Sequence, residues 1–211
     1  MGNLLLIAGT LRGAEPAIRW DGAHADYFAD DDGPFTIGFQ FRANSDLAIT
    51  ALGTFDYLLD GFSTAHSVGI WTAEGGAPIA TANLSDGTTA SLRGQFRYVD
   101  VSGITLKAGT EYVIGASGLY GATKDLYASG VPVSAFSMNP AITFLGSRGS
   151  GEGEGLNFPE VHFDSLSPTT FGANFEFSAV PEPSVGALLA LGGIGLGVAA
   201  YRGRPGQSKI P

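Results

Sequence analysis

Over much of the chain, apolar and polar residues alternate one by one. Phe35, Ile37, Phe39 and Phe41 are separated by Thr36, Gly38, Gln40 and Arg42. A period of two sends successive side chains to opposite faces, so this run predicts an antiparallel strand with one buried and one wet face. Leu47–Phe55 follows the turn Asn44-Ser45-Asp46 and is rich in β-type residues. His66–Thr72 and residues 78–84 flank Glu74-Gly75-Gly76, which reads as a hairpin around a glycine pair. Asp86-Gly87 marks the next turn, and residues 96–101 and 111–116 are further strands. Residues 170–178 read as the last strand, with Phe171, Phe175 and Phe177 turned inward. No segment before Val185 sustains the 3.6-residue period of a helix. The expected fold is all-β. A single domain over residues 20–178 should form a two-sheet antiparallel β-sandwich, fibronectin- or jelly-roll-like, burying Phe35, Ile37, Phe39, Phe41 and Tyr112.

The alternation stops at the end of the chain. From Val185 to Tyr201 the sequence reads VGALLALGGIGLGVAAY, without a charge, and Arg202, Arg204 and Lys209 follow. At about 1.5 Å per residue a helix of this run is roughly 26 Å long, close to the ~30 Å of a bilayer core. It has no polar face, and its five glycines suit a membrane helix better than one in water. The expectation is a transmembrane helix over 185–201, a linker over 179–184 and a basic cytoplasmic tail over 202–211. The domain then lies on the far side of the membrane, because basic residues next to a span stay in the cytoplasm. At the other end, residues 4–11 are apolar, but no basic residue precedes them and Arg12 sits where a small residue is wanted. Residues 1–19 are accordingly either a truncated signal peptide or a first strand.

Pro181-Glu182-Pro183, the apolar span and the Arg-containing end together resemble the PEP-CTERM sorting signal of exported bacterial proteins. The resemblance implies retention in the inner membrane, recognition of Pro181, Glu182 and Pro183 by an exosortase-type membrane protease, and cleavage nearby. The domain would then reach the cell surface or extracellular matrix. The tail GRPGQSKIP is longer and less rich in Arg than that signal usually carries. Within the domain, His66–Trp71, Phe96–Val99 and the run Leu106–Ala116 are similar to a domain of unknown function in exported bacterial proteins. That likeness covers about Ala51 to Ser117 and implies a β-sandwich with no catalytic residue. The Leu106–Tyr112 pattern also resembles the crossing of fibronectin-III-like sandwiches, where a tyrosine bonds back to the upstream backbone. Tyr112 could equally be an ordinary core tyrosine.

Charge narrows the partners. The formal net charge is −9, and loss of everything after Pro183 would take it to −12. No cluster of Lys and Arg stands outside the tail, which argues against nucleic acid. With no cysteine there are no disulfides, thiolate metal sites or thiol nucleophiles. His24, His66 and His162 are in no zinc-binding spacing, and neither a nucleophile elbow nor a Walker loop occurs. The glycine-rich run Gly146 to Gly155 reads as a flexible loop, without the flanking strand and helix a phosphate site needs.

Three sets of residues remain as candidates. The acidic stretch Asp26 to Gly33 departs from the EF-hand spacing, but Asp30 and Asp32 are the residues that would hold calcium; no other cofactor is expected. Asp56, Asp60 and Asp125 are candidates for a glycosidase pair, though they read more readily as solvated turn acids. Trp71, Tyr120 and Tyr127, with Tyr57, are candidates for stacking on sugar rings; Ile70 and Trp71 point to opposite faces, so one of them is core. The function expected is an exported surface or matrix protein, not an enzyme, that binds or structures exopolysaccharide. The alternatives are a purely structural surface protein and a polysaccharide-acting hydrolase.

Overall fold

The computed structural model describes residues 13–20, 26–28, 33–119, 125–132, 134–151, 153, 155–163 and 169–180. Asp30, Asp32, Tyr120 and everything from Pro181 onward, including the sorting signal and the helix expected over 185–201, lie outside them. Among the described residues every regular element is a strand, and no helix is long and apolar enough to cross a membrane.

In chain order the strands are β1 (Glu15–Pro16), β2 (Ile18–Trp20), β3 (Asp26–Phe28), β4 (Thr36–Ala43), β5 (Leu47–Phe55), β6 (His66–Thr72), β7 (Ala80–Leu84) and β8 (Ser91–Arg93). They continue as β9 (Phe96–Leu106), β10 (Glu111–Ser117), β11 (Tyr127–Val131), β12 (Phe136–Met138), β13 (Ile142–Gly149), β14 (Val161–His162), β15 (Thr169–Phe171) and β16 (Ala173–Ala179). One large sheet has the order β1-β16-β5-β9-β8 and the other β14-β13-β4-β10-β6-β7. Two smaller sheets, β15-β11-β3 and β12-β2, complete the set. All pairings are antiparallel, as the alternating pattern requires. The sheet already includes Glu15–Pro16, so this part of residues 1–19 is strand.

Period two explains why the large sheets meet. Phe39 and Phe41 of β4, with Tyr112 and Ile114 of β10, share one apolar cluster with Leu52 of β5, Tyr98 of β9 and Phe175 of β16. The Phe41 and Phe175 rings lie 4.9 Å apart. Burying each such aromatic stabilises the fold by about 1.5–3 kcal/mol. The fold is therefore all-β and sandwich-like. The Tyr112 hydroxyl accepts a 2.8 Å bond from the Lys107 backbone N–H, while its ring packs in the core against Phe41. It is both a core tyrosine and the back-bonding one. Asp46 ties the preceding turn to this corner by accepting from Ala108 N–H at 2.9 Å and Lys107 Nζ at 2.8 Å.

The second face of β4 departs from expectation. Only Arg42 is exposed; Thr36 and Gly38 are buried and Gln40 is half-buried. Residues 155–160 lie over this face, where Asn157 N–H donates to Thr36 Oγ1 at 3.0 Å and Phe158 meets Trp71 edge-on at 5.9 Å. Gly69 makes room for the indole, because a Cβ there would sit 2.7 Å from Trp71 Cη2. The glycine-rich run also needs correction. Gly146 to Gly149 are not loop but the end of β13, paired with Gln40 to Ile37 of β4. Arg148 secures that end by donating to Gln40 Oε1 at 2.7 Å and to the Glu160 carbonyl at 3.0 Å.

Candidate functional site

The three acids that sequence reading grouped only by type are neighbours in space. Asp56, Asp60 and Asp125 line one pocket of about 260 Å³, together with Tyr57, Leu58 and Ser63. Asp56 and Asp125 are not solvated turn acids, being 2% and 7% exposed. The Arg97 guanidinium, itself buried, donates to Asp56 Oδ2 at 2.6 Å and to the carbonyls of Leu59, Thr88 and Ala90. Asp125 accepts from the Ser63 N–H and hydroxyl and from Thr64 N–H, and its Oδ2 lies 3.0 Å from His66 Nε2. Burial would raise the Asp125 carboxyl, but the bonds from His66 and Ser63 outweigh it and hold it below the usual range.

That arrangement holds a loop in place and is poorly suited to acid catalysis. A general acid must keep its proton near neutral pH, which needs a raised pKa rather than a lowered one. It is not a nucleophilic triad either. Ser63 Oγ donates to the carboxylate itself, and His66 turns Nδ1 to the Ser117 carbonyl at 2.8 Å. The His66–Asp125 pairing was missed from sequence because the two residues are 59 positions apart and stand in no motif. Among the described residues no group of three or more His, Asp or Glu is placed to hold a metal ion.

The aromatic candidates are mostly spoken for. Trp71 is 2% exposed beneath Phe158, and Tyr127 is buried in the main cluster. Neither offers a ring face to a ligand. Tyr120 lies outside the described residues.

An aromatic and polar groove forms elsewhere, along β2. Asn174 of β16 pins this short strand, accepting from Ile18 N–H at 3.1 Å and donating to the Ile18 carbonyl and the Tyr98 hydroxyl, both at 2.9 Å. On its other side β2 pairs with β12, placing Trp20 opposite Phe136 and Arg19 opposite Ser137. Two depressions adjoin across it. One, of about 260 Å³, is walled by Ile18, Trp20, Arg93, Gln95, Tyr98 and Glu176. The other, shallow and of about 440 Å³, is walled by Ser134, Phe136 and Ser137. Arg19 and Trp20 line both. Arg93 lies 5.1 Å over the Tyr98 ring and is ion-paired with Glu176 and, at 3.2 Å, with Asp100. Burial, reinforced by Glu176, pushes the Tyr98 phenol well above its ordinary value, so it keeps its proton. Trp20 rests on Phe55 at 5.3 Å, which fixes the ridge between the depressions. The sequence pattern hid this site because its walls come from β2, the β8–β9 turn, β12 and β16.

A family described as a domain of unknown function, DUF4082, matches residues 23–165. The chain belongs to the DUF4082 family. Comparison with the curated proteins and with the solved structures returns no match. The DUF4082 span runs from β3 through β14 and is wider than the stretch on which the sequence likeness rested. It leaves out β1, β2, β15 and β16. Arg93, Gln95, Tyr98 and Phe136 of the groove thus come from the DUF4082 domain, while Arg19, Trp20 and Glu176 come from the strands flanking it.

Proposed function

We propose that this DUF4082 protein is an exported bacterial surface or matrix protein that binds polysaccharide along the groove over β2. The carrying observation is the pair of adjoining depressions that share Arg19 and Trp20, since an extended chain of sugar units needs contiguous subsites. The first has largely apolar walls and the second the half-buried Phe136 ring, each beside a few polar groups, the usual composition of a small-molecule site. The fold is read as a two-sheet sandwich of fibronectin or jelly-roll type, a reading supported by the Tyr112 back-bond and the facing sheets. Delivery rests on the sequence of the tail. Pro181-Glu182-Pro183, the span from Val185 to Tyr201 and Arg202 and Arg204 keep the order of the sorting signal they resemble. An exosortase-type protease then releases the domain from the inner membrane. The bonded state of Asp56 and Asp125 favours binding over hydrolysis.

Two experiments test this. Cells with and without the exosortase-type protease are fractionated and the exported protein is weighed by mass spectrometry. A mature protein still carrying residues 185–209 when the protease is present rejects the sorting reading, and Glu182→Ala should block processing. Separately, the exported protein is applied to immobilised matrix polysaccharides. Retention supports the binding reading, and passage through all of them rejects it.

A further inference from the structure

The polar groups of the groove also define which sugars it takes. Arg93 contributes a positive charge, but Glu176 and Asp100 both bind it, and the Glu176 side chain is only 8% exposed. Arg19, 57% exposed, faces Glu15 at 3.6 Å. Two guanidinium groups therefore stand among three carboxylates, on a chain whose formal charge is −9. A uronate, sulfate or phosphate group that displaced Glu176 from Arg93 would leave that carboxylate uncompensated in a desolvated wall, a costly exchange, and would meet the charge of Asp100 as well. Neutral hydroxyls fit better. A carboxylate accepts while the adjoining guanidinium donates, so Glu176 beside Arg93 suits two neighbouring hydroxyls on one ring. Gln95 beside the first depression, and Ser134 and Ser137 beside the second, add groups that both donate and accept. The first depression, about 260 Å³, lies just below the range of drug-sized sites and suits a single ring.

We infer that the groove selects neutral hexose polysaccharide, with one ring beside Arg93 and Glu176 and the next across Trp20 beside Phe136. This rests on the polysaccharide-binding reading above and narrows it to one chemical class. Titration calorimetry of the full chain in detergent, with maltohexaose, cellohexaose and an oligogalacturonate of the same length, tests it. At least one neutral hexasaccharide should bind tenfold or more tighter than the oligogalacturonate, with little change on adding salt. Arg93→Lys keeps the charge but loses the planar fork, and should weaken that binding about tenfold. Ser134→Trp alters an exposed position and fills the second depression; it should weaken binding of the neutral hexasaccharide about tenfold. Melting curves like that of the unaltered protein show that the variants fold. Tighter binding of the oligogalacturonate overturns the neutral selectivity and leaves polysaccharide binding standing. Neutral binding unchanged in both folded variants overturns the site. Absence of binding to all three sugars, together with passage through the immobilised polysaccharides, overturns both readings.

Discussion

Leu59 adopts φ of +62, a conformation in which a branched side chain is strained. Burial does little to offset the cost, since Leu59 is 40% exposed and its neighbour Leu58 63%. Hydrogen bonds hold it there, with its N–H on the Asp56 carbonyl and its own carbonyl on Arg97. Leu59→Gly should therefore raise stability by up to about 1 kcal/mol in urea unfolding, because glycine takes this conformation without steric penalty. Arg97→Ala should do the opposite. It leaves the buried Asp56 carboxylate without its partner, a loss of about 3–5 kcal/mol for a broken buried pair. Trp71→Ala should cost about 3–5 kcal/mol as a core truncation while leaving polysaccharide binding unchanged once the protein is folded. Loss of binding alone in that variant would return Trp71 to the ligand site.

At the scale of elements, local pattern carried furthest where one face of a strand meets one core. The β4 run, the β6–β7 hairpin around Gly75-Gly76 and the inward Phe171, Phe175 and Phe177 were legible from period two and glycine. The single strand expected over 170–178, however, divides at Gly172 into β15 and β16 of different sheets. The run Gly146 to Gly149 was not, since its strand character comes from pairing with β4 and not from its own propensity. The buried second face of β4 was hidden for a similar reason, as its cover arrives from residues 155–160. Site legibility followed the same rule. Asp56 and Asp125 could be chosen as acids, but their partners Arg97 and His66 lie far along the chain. The loop between β5 and β6 depends on Asp125 and gives a pH prediction. The folded-state pKa of this group is lowered, so the stability it contributes is present above the ordinary carboxylate value of about 4 and is lost as pH falls through the lowered value. Asp125→Asn should cost about 1–3 kcal/mol near pH 7 by leaving buried donors unmatched. Its stability should also fall less steeply with acid than that of the unaltered protein. Equal acid dependence in urea unfolding would show that Asp125 does not anchor this loop.

At the scale of the whole molecule, a DUF4082 domain that supplies part of a groove is completed by strands from both sides of the family span. Asn174 makes the join, binding Ile18 and Tyr98 at once, so the groove and the five-stranded sheet stand or fall together. Removal of residues before Ala17 should loosen β2 by taking away β1 and its pairing with β16, weakening sugar binding before it unfolds the core. Melting and binding measured on the same truncation would separate the two effects. The most direct test of polysaccharide binding along β2 is amide hydrogen exchange of the full chain, with and without a neutral hexasaccharide. The account predicts slowed exchange at residues 18–20, 93–96 and 134–137, with the loop over residues 56–64 unchanged. Slowing confined to that loop, or none anywhere despite saturating sugar, would contradict it.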